Sequence, residues 1–453
     1  MFKVFIAGFL GIFFFINSFA VNIKLNNADE RISVLTFGAK GDGQANDADA
    51  LEKAITYCVK NNKICYIPKT ARFYNIKSTI RVPLEPGQSI EIVSNGASIK
   101  PLASPVNSTA FSLTPFNEHI FLSIGKQITS IRDNAMFKNS EGSSVSISGL
   151  VFDGSNLPTG VAPTTLSTSI FMGLQVLAET VNINNCVFKN LYGYGLTIYN
   201  VKNSTMKECR FENVGGRGAT PFVQKIDRDA FGDGVHFSLV KADGNVTMEH
   251  CVFLGKKTEN KRSRSAITFE FSTQPYNIFL SNVNISGFAK CIHIEETSPT
   301  KVHLDYVNMS DFNFGIANVL NDNSTISFNH VRMDVGLSDG NDYGEALAFL
   351  NYRSKAQIYI NNSYLNFNGK KESYQSAGGL MKVENSTING NNTNFFFADG
   401  NTLFDHCIFV KFGGAQKSFF SNNGQSVYRI TNSDLKKSST IHANGQKLKL
   451  SVQ

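Results

Sequence analysis

The amino-acid sequence predicts an all-β solenoid, a stack of short parallel strands closed at its N-terminal end by one helix. Three observations carry this prediction. A phrase made of a polar residue, a small residue, one further residue and a large apolar one recurs along the chain. It reads Asn185-Cys186-Val187-Phe188, Glu208-Cys209-Arg210-Phe211, His250-Cys251-Val252-Phe253 and His406-Cys407-Ile408-Phe409. Weaker copies end at Phe152, Ile285, Met309, Met333, Leu365, Ile388 and Leu435, and many intervals are about 21 to 26 residues. Alternating apolar stretches such as Val246-Thr247-Met248 and Ile326-Ser327-Phe328 precede the phrase, with the period of a strand. One such unit cannot bury its own apolar face, whereas stacked units can.

The elements follow in order. Residues 1–20 combine Lys3, an apolar run from Val4 to Ile16 and the small residues Ser18 and Ala20. That pattern reads as a cleaved signal peptide, so the mature protein, residues 21–453, is expected to be secreted, extracellular or periplasmic. No second run is long enough to span a bilayer. Residues 31–62 then combine a strand-like start with a helix over 47–60. Its apolar stripe is Leu51, Ala54, Ile55 and Cys58, and Asn46 or Asp47 can cap it. This helix would plug the open end of the stack. Beyond it, parallel pairing at about 4.8 Å places like above like. Cys186, Cys209 and Cys251 thus form an interior column of small side chains rather than a metal site. Asn203, Asn245, Asn323 and Asn385 read as polar turn positions. Cys58 and Cys65 are the one close pair among seven cysteines and are open to bridging in an oxidising compartment.

The opening segment carries a resemblance. Val34-Leu35-Thr36-Phe37-Gly38-Ala39-Lys40-Gly41-Asp42-Gly43, followed by Asn46-Asp47 and Ala50-Leu51-Glu52-Lys53-Ala54-Ile55, resembles the N-terminal segment of the pectate-lyase-like superfamily. Thr36, Asn46 and Ala48 stand where the usual pattern has Asp, Asp and Thr. The resemblance implies a single-stranded right-handed parallel β-helix over residues 21–453. It is nearly silent on the reaction, since hydrolases, lyases, epimerases and tailspikes share such segments.

Composition narrows the function. Of 453 residues 42% are hydrophobic and 17% charged, with a net charge of +7. That is a folded protein with too little positive charge for a dedicated nucleic-acid binder, so no nucleic-acid partner is expected. No phosphate loop, paired-cysteine motif or nucleophile elbow is visible. The Asn-Thr-Asp, Gly-His-Gly and Arg-Ile-Lys set of polygalacturonases is missing, as is the aspartate cluster that binds calcium in pectate lyases.

A candidate site emerges from a second strand in each coil, of form small–apolar–x–apolar–x. Aligning Gly173–Leu177, Gly195–Tyr199, Gly234–Ser238, Ala266–Glu270, Cys291–Glu295, Gly315–Val319 and Ala346–Leu350 gives two outward columns. The first reads Gln175, Thr197, His236, Thr268, His293, Ala317, Ala348. The second reads Leu177, Tyr199, Ser238, Glu270, Glu295, Val319, Leu350. Titratable residues fill only the middle coils, which marks a site. Asp227, Asp229 and Asp233 edge the strand bearing His236. A basic insertion with Lys256, Lys257, Lys261, Arg262 and Arg264 leads into the strand bearing Glu270.

The catalytic candidates are Asp229, Asp233, His236, Glu270 and Glu295; Tyr199, Arg262, Arg264, Lys290 and His293 are candidates for substrate binding. Glu270 and Glu295, one coil apart, are closer than the roughly 6.5–9.5 Å of an inverting glycosidase, which Asp229 or Asp233 with Glu295 would fit better. His236 as base, with nearby cations, would instead serve β-elimination or C5-epimerisation. The expected function is cleavage of glycosidic bonds in a polysaccharide, an acidic one if the basic insertion meets it, by hydrolysis or β-elimination. The rivals are a C5-epimerase and a non-catalytic polysaccharide-binding or adhesion protein. No cofactor is required, a divalent cation such as calcium is compatible, and no metal ligands are assigned. Monomer and homotrimer both fit.

Overall fold

The structure is a computed structural model. It describes residues 31–101, 119–126, 140–156, 171–191, 193–215, 232–255, 262–321, 323–336, 347–352, 354–367, 379–390, 396–397, 401–411, 419–420, 427–437, 443–444 and 449–452. The expected signal peptide, Asp227, Asp229 and Lys256 to Lys261 lie outside the described residues.

Three long parallel sheets, of 15, 13 and nine strands, wind into a right-handed parallel β-helix. The 15-stranded sheet contains strands such as Gly244–Glu249 and Thr325–Asn329. The 13-stranded sheet is built from the recurring phrase. Along it Phe152, Phe188, Phe211, Phe253, Ile285, Met309, Met333, Leu365, Ile388 and Phe409 stand side by side in register. All are buried. Four of these phenylalanines stack nearly parallel, with centroids 5.0, 4.8 and 4.6 Å apart. Those separations match the strand spacing, so the repeat in the sequence is the ladder in the core.

The cysteine column is interior as expected. The thiols of Cys186, Cys209 and Cys251 are buried and donate to the carbonyls of Ile147, Ile183 and Met206 on the preceding coil. Burial pushes the Cys186 thiol up to about 12, which suits an inert packing group. Cys58 and Cys65 are free thiols.

In nine consecutive coils the passage from the 15-stranded to the 13-stranded sheet turns on one left-handed residue. Asn185, Glu208, His250, Asn282, Tyr306, His330, Asn362, Asn385 and His406 occupy it, with φ of 48° to 56°. Their backbone N–H groups donate to carbonyls of the next coil, as in Asn185 to Lys207 and Glu208 to Glu249. Asn is favoured there because it tolerates this conformation. Asn385 is such a residue and Asn323, with φ 62°, is left-handed in the turn before the strand Thr325–Asn329, but Asn203 and Asn245 lie in the strands Asn203–Lys207 and Gly244–Glu249. That corrects the turn assignment for those two.

The capping helix spans Ala48–Asn61 and buries Leu51, Ala54, Ile55 and Cys58. The two capping candidates divide the work. Asn46 Oδ1 accepts from the N–H of Ala48 at 3.3 Å and of Lys77 at 3.0 Å. The Asp47 carboxylate instead accepts from the N–H groups of Lys40, at 2.6 Å, and Gly41, at 3.1 Å, tying the opening loop to the helix.

The nine-stranded sheet carries the candidate site. Its strands include Phe171–Leu177, Leu196–Tyr199, Asp233–Ser238, Ser263–Glu270, Phe288–Glu295, Phe314–Val319 and Leu347–Tyr352. The small position is dictated by packing: a Cβ on Gly195 would lie 2.5 Å from the Gly234 carbonyl and 2.9 Å from the Phe211 ring. The register confirms the alignment through Val319, then departs from it. Ala317 pairs with Leu350 and Val319 with Tyr352, so Leu350 and Tyr352, not Ala348 and Leu350, continue the two columns. A slip of two residues preserves inside–outside parity, so alternation alone could not detect it.

Candidate functional site

Strand pairing puts Gln175, Thr197, His236, Thr268 and His293 in one row across the sheet. Tyr199, Ser238, Glu270 and Glu295 form the row beside it. Val235, Phe237, Ile267, Phe269, Ile292 and Ile294 point the other way into the core. Alternation therefore sends His236, Glu270, His293 and Glu295 to one face.

The charged groups there form a connected cluster. Asp233 is fully buried, and both its oxygens accept from Arg264 Nη1, at 2.6 and 2.8 Å. Burial alone would raise its pKa, but the adjacent Arg264 charge and the His236 ring outweigh it and hold the carboxyl well below the usual range. His236 lies between two carboxylates: Nδ1 is 3.3 Å from Asp233 and Nε2 3.5 Å from Glu270. Burial disfavours its charge; the Glu270 and Asp233 carboxylates override that and raise its pKa. Arg264 Nη2 and His293 Nε2 each lie 3.7 Å from Glu270.

His293 Nε2 meets Glu295 at 2.7 Å. Burial and then the Lys290 charge depress the pKa of His293, so we take the ring as neutral and the N–H as donated to Glu295. That hydrogen bond lowers the Glu295 pKa against a partial burial penalty. Glu295 differs from its neighbours in access: its side chain is 32% exposed, against 10% for Glu270 and 2% for His293.

The other expected residues sit as follows. Lys290 is buried in the strand carrying His293. Tyr199 is buried against Leu177 and Leu239 in an apolar cluster. Arg262 is buried and engaged within the protein, donating to Asp311 at 2.6 and 2.9 Å and to Asn313 at 2.6 Å. The arginines of the basic insertion that the structure describes are thus both held by internal acceptors. Asp311 and Asn313 were not among the expected residues; nothing in their own sequence context marks them, because the contact spans half a hundred residues of chain.

Glu270, His293 and Glu295 each offer one ligand atom, all within 4.8 Å of one another. Two carboxylates and an imidazole suit a divalent cation chemically. The same atoms also serve the His293–Glu295 hydrogen bond and face the Arg264 and Lys290 charges.

The model of the family described as rhamnogalacturonase A/epimerase, pectate lyase-like, matches residues 31–225. This span holds the opening segment, the capping helix and the first coils. The pectate-lyase-like match thus covers residues 31–225, and the fold of the chain is a right-handed parallel β-helix. Among solved structures this β-helix is similar to PfbA, a surface adhesin of Streptococcus pneumoniae, at 16% identity over 91% of each chain, with a TM-score of 0.54. It is also similar to a tailspike protein of E. coli bacteriophage HK620, solved as a glutamate-to-alanine mutant in complex with a pentasaccharide. There the identity is 11% over 94% of this chain and 78% of the tailspike, with a TM-score of 0.56. At such identities the likeness is one of fold. No curated protein matches the sequence. Among the described residues no helix is long and apolar enough to cross a membrane.

Proposed function

We propose that this β-helix is an exported enzyme that hydrolyses glycosidic bonds in a polysaccharide, with Glu295 and Glu270 as its working carboxylates. The observation that carries this reading is their spacing: a Glu270 oxygen and a Glu295 oxygen lie within 4.8 Å of each other. Retaining glycosidases set two carboxyl groups about 5–5.5 Å apart, whereas inverting ones need about 6.5–9.5 Å for an intervening water. Access assigns the roles. Glu295 is the half-open member and is kept ionised by His293, which suits the nucleophile. Glu270, 3.5 Å from His236 Nε2, is the member left to relay a proton from that ring to the leaving oxygen. Asp233 has both oxygens on Arg264, so it positions Arg264 and His236 rather than meeting substrate. The likeness to a tailspike solved with a pentasaccharide supports a glycan as ligand. Export rests on the N-terminal segment, and a homotrimer remains the oligomer to look for beside the monomer.

β-Elimination of a uronate chain is the second reading, favoured by the lowered pKa of His293 and by the Lys290 charge that helps to lower it. One experiment separates the readings. The purified full chain is incubated with neutral and uronate polysaccharides, and reducing ends and the ultraviolet absorbance of unsaturated uronates are followed together. Hydrolysis gives reducing ends without absorbance, and elimination gives both. Binding without either product would support an adhesin, the class to which the pneumococcal relative belongs.

A further inference from the structure

The rows that carry the charge cluster continue onto coils nearer the N-terminus, where their character changes. Ser123, Gln175 and Thr197 are neighbours in register, leading up to His236. On one side of this stripe lie Ile120, Met172 and Tyr194, an apolar cluster separate from the main core. The Tyr194 ring meets His236 edge-on at 5.4 Å. On the other side lie Leu177 and Tyr199. None of these eight side chains is an Asp, Glu, Lys, Arg or His. The stripe is bounded by exposed Arg81, which pairs with Ser123, and by His236.

Two polar groups in the stripe are left over. Gln175 Oε1 accepts from Ser123 Oγ at 3.0 Å, but Gln175 Nε2 finds no hydrogen-bond partner among the described residues. Neither does Thr197 Oγ1. Both side chains are more than nine-tenths buried. Buried polar atoms without partners are uncommon and costly, and point to an absent partner. Nε2 offers two N–H donors, and a hydroxyl can donate or accept. A ligand hydroxyl matches both. A carboxylate would lose its hydration here, and the nearest cations stand only at the ends of the stripe: exposed Arg81, and His236 held between Asp233 and Glu270.

We infer that Gln175 and Thr197, between the Met172/Tyr194 and Leu177/Tyr199 walls, form a subsite for an uncharged, hydroxyl-rich glycosyl unit. The subsite spans about 10 Å of the stack, two strand steps, from Ser123 to Thr197. The inference rests on the proposed glycan-cleaving reading and narrows its substrate: the chain on this side of Glu270 and Glu295 is neutral, whatever charge it carries beyond Lys290.

The test uses a full-length Glu295→Gln variant, so that binding is read without turnover. Its migration is followed in native gels containing galactomannan, dextran or polygalacturonate. Retardation by a neutral polymer is expected, unchanged between about 50 and 500 mM salt, because no ion pair is screened. Gln175→Leu and Thr197→Val, which keep shape and delete the polar atoms, should each weaken retardation roughly fivefold to tenfold. Thr197→Val should keep or raise the melting temperature, since it removes an unpartnered buried hydroxyl, which separates lost binding from lost folding. Retardation by polygalacturonate alone, by none of the gels, or undiminished in both variants overturns the subsite. Neutral-polymer binding with no product from the wild type would leave the subsite standing and remove the enzymatic reading. Cleavage confined to uronate chains would do the reverse.

Discussion

Asp233→Asn is the most informative single perturbation of the charge cluster. In the wild type, Arg264 Nη1 reaches both Asp233 oxygens at 2.6 and 2.8 Å, and Asp233 is wholly out of solvent. The next carboxylate, on Glu270, is 3.7 Å from the other guanidinium nitrogen. Asparagine keeps one of the two acceptors and removes the charge. Breaking a buried pair while leaving its partner charged costs about 3–5 kcal/mol, far above the roughly 0–1 kcal/mol of an exposed pair. The assay is urea unfolding followed by circular dichroism; a solenoid unfolds in units, so the transition reporting the middle coils is the one compared. Asp233→Leu with Arg264→Met, which removes both charges, should recover most of the loss. The pH dependence gives an independent check. The Asp233 pKa is depressed from its ordinary 3.8, so its contribution is fully present above that value and is lost as pH falls through the folded value. The wild type should therefore lose more stability than Asp233→Asn below about pH 4. A loss under about 1 kcal/mol at neutral pH would refute the reasoning, because it would mean that the pair is solvated.

Three further outcomes follow. Phe211, buried between rings at 4.8 and 4.6 Å, should cost about 3–5 kcal/mol when changed to Ala, measured by the same unfolding; a loss under 1 kcal/mol would deny the ladder its role. The two site histidines should titrate on opposite sides of their ordinary 6.5 in an NMR titration, His236 above and His293 below. The His236 contribution to stability is then present below about 6.5 and lost as pH rises through its folded value, while that of His293 is present above about 6.5 and lost as pH falls; overlapping titrations would contradict both environments. Dialysis against EDTA should leave activity unchanged, because the His293–Glu295 bond and the adjacent cations already occupy the triad. Loss on chelation, restored by a divalent cation, would make Glu270, His293 and Glu295 metal ligands instead.

The fold was legible because the solenoid writes its core directly into the sequence. Phe188, Phe211 and Phe253 recur because they touch, and Cys186, Cys209 and Cys251 recur beside them. The middle of the site was equally legible, since the two-residue period sends His236, Glu270, His293 and Glu295 to one face. Two things were not. Leu350 and Tyr352 were displaced by two positions, a shift that parity cannot reveal. The partners of Arg262 and Arg264 were hidden because Asp233, Asp311 and Asn313 lie 31 to 51 residues away along the chain, beyond the reach of any local pattern. The loop-like charge run suggested cations open to a substrate, whereas Asp233, Asp311 and Asn313 hold both arginines.

The central claim is that Glu295 and Glu270 cleave a glycosidic bond as a close pair. Its most direct measurement is the anomeric configuration of the first product, read by NMR during digestion of a polysaccharide by the wild type, alongside Glu295→Gln. New reducing ends with retained configuration and no unsaturated uronate are expected, with a loss of roughly a hundredfold or more in Glu295→Gln. Inverted configuration, or full activity in Glu295→Gln, would contradict it.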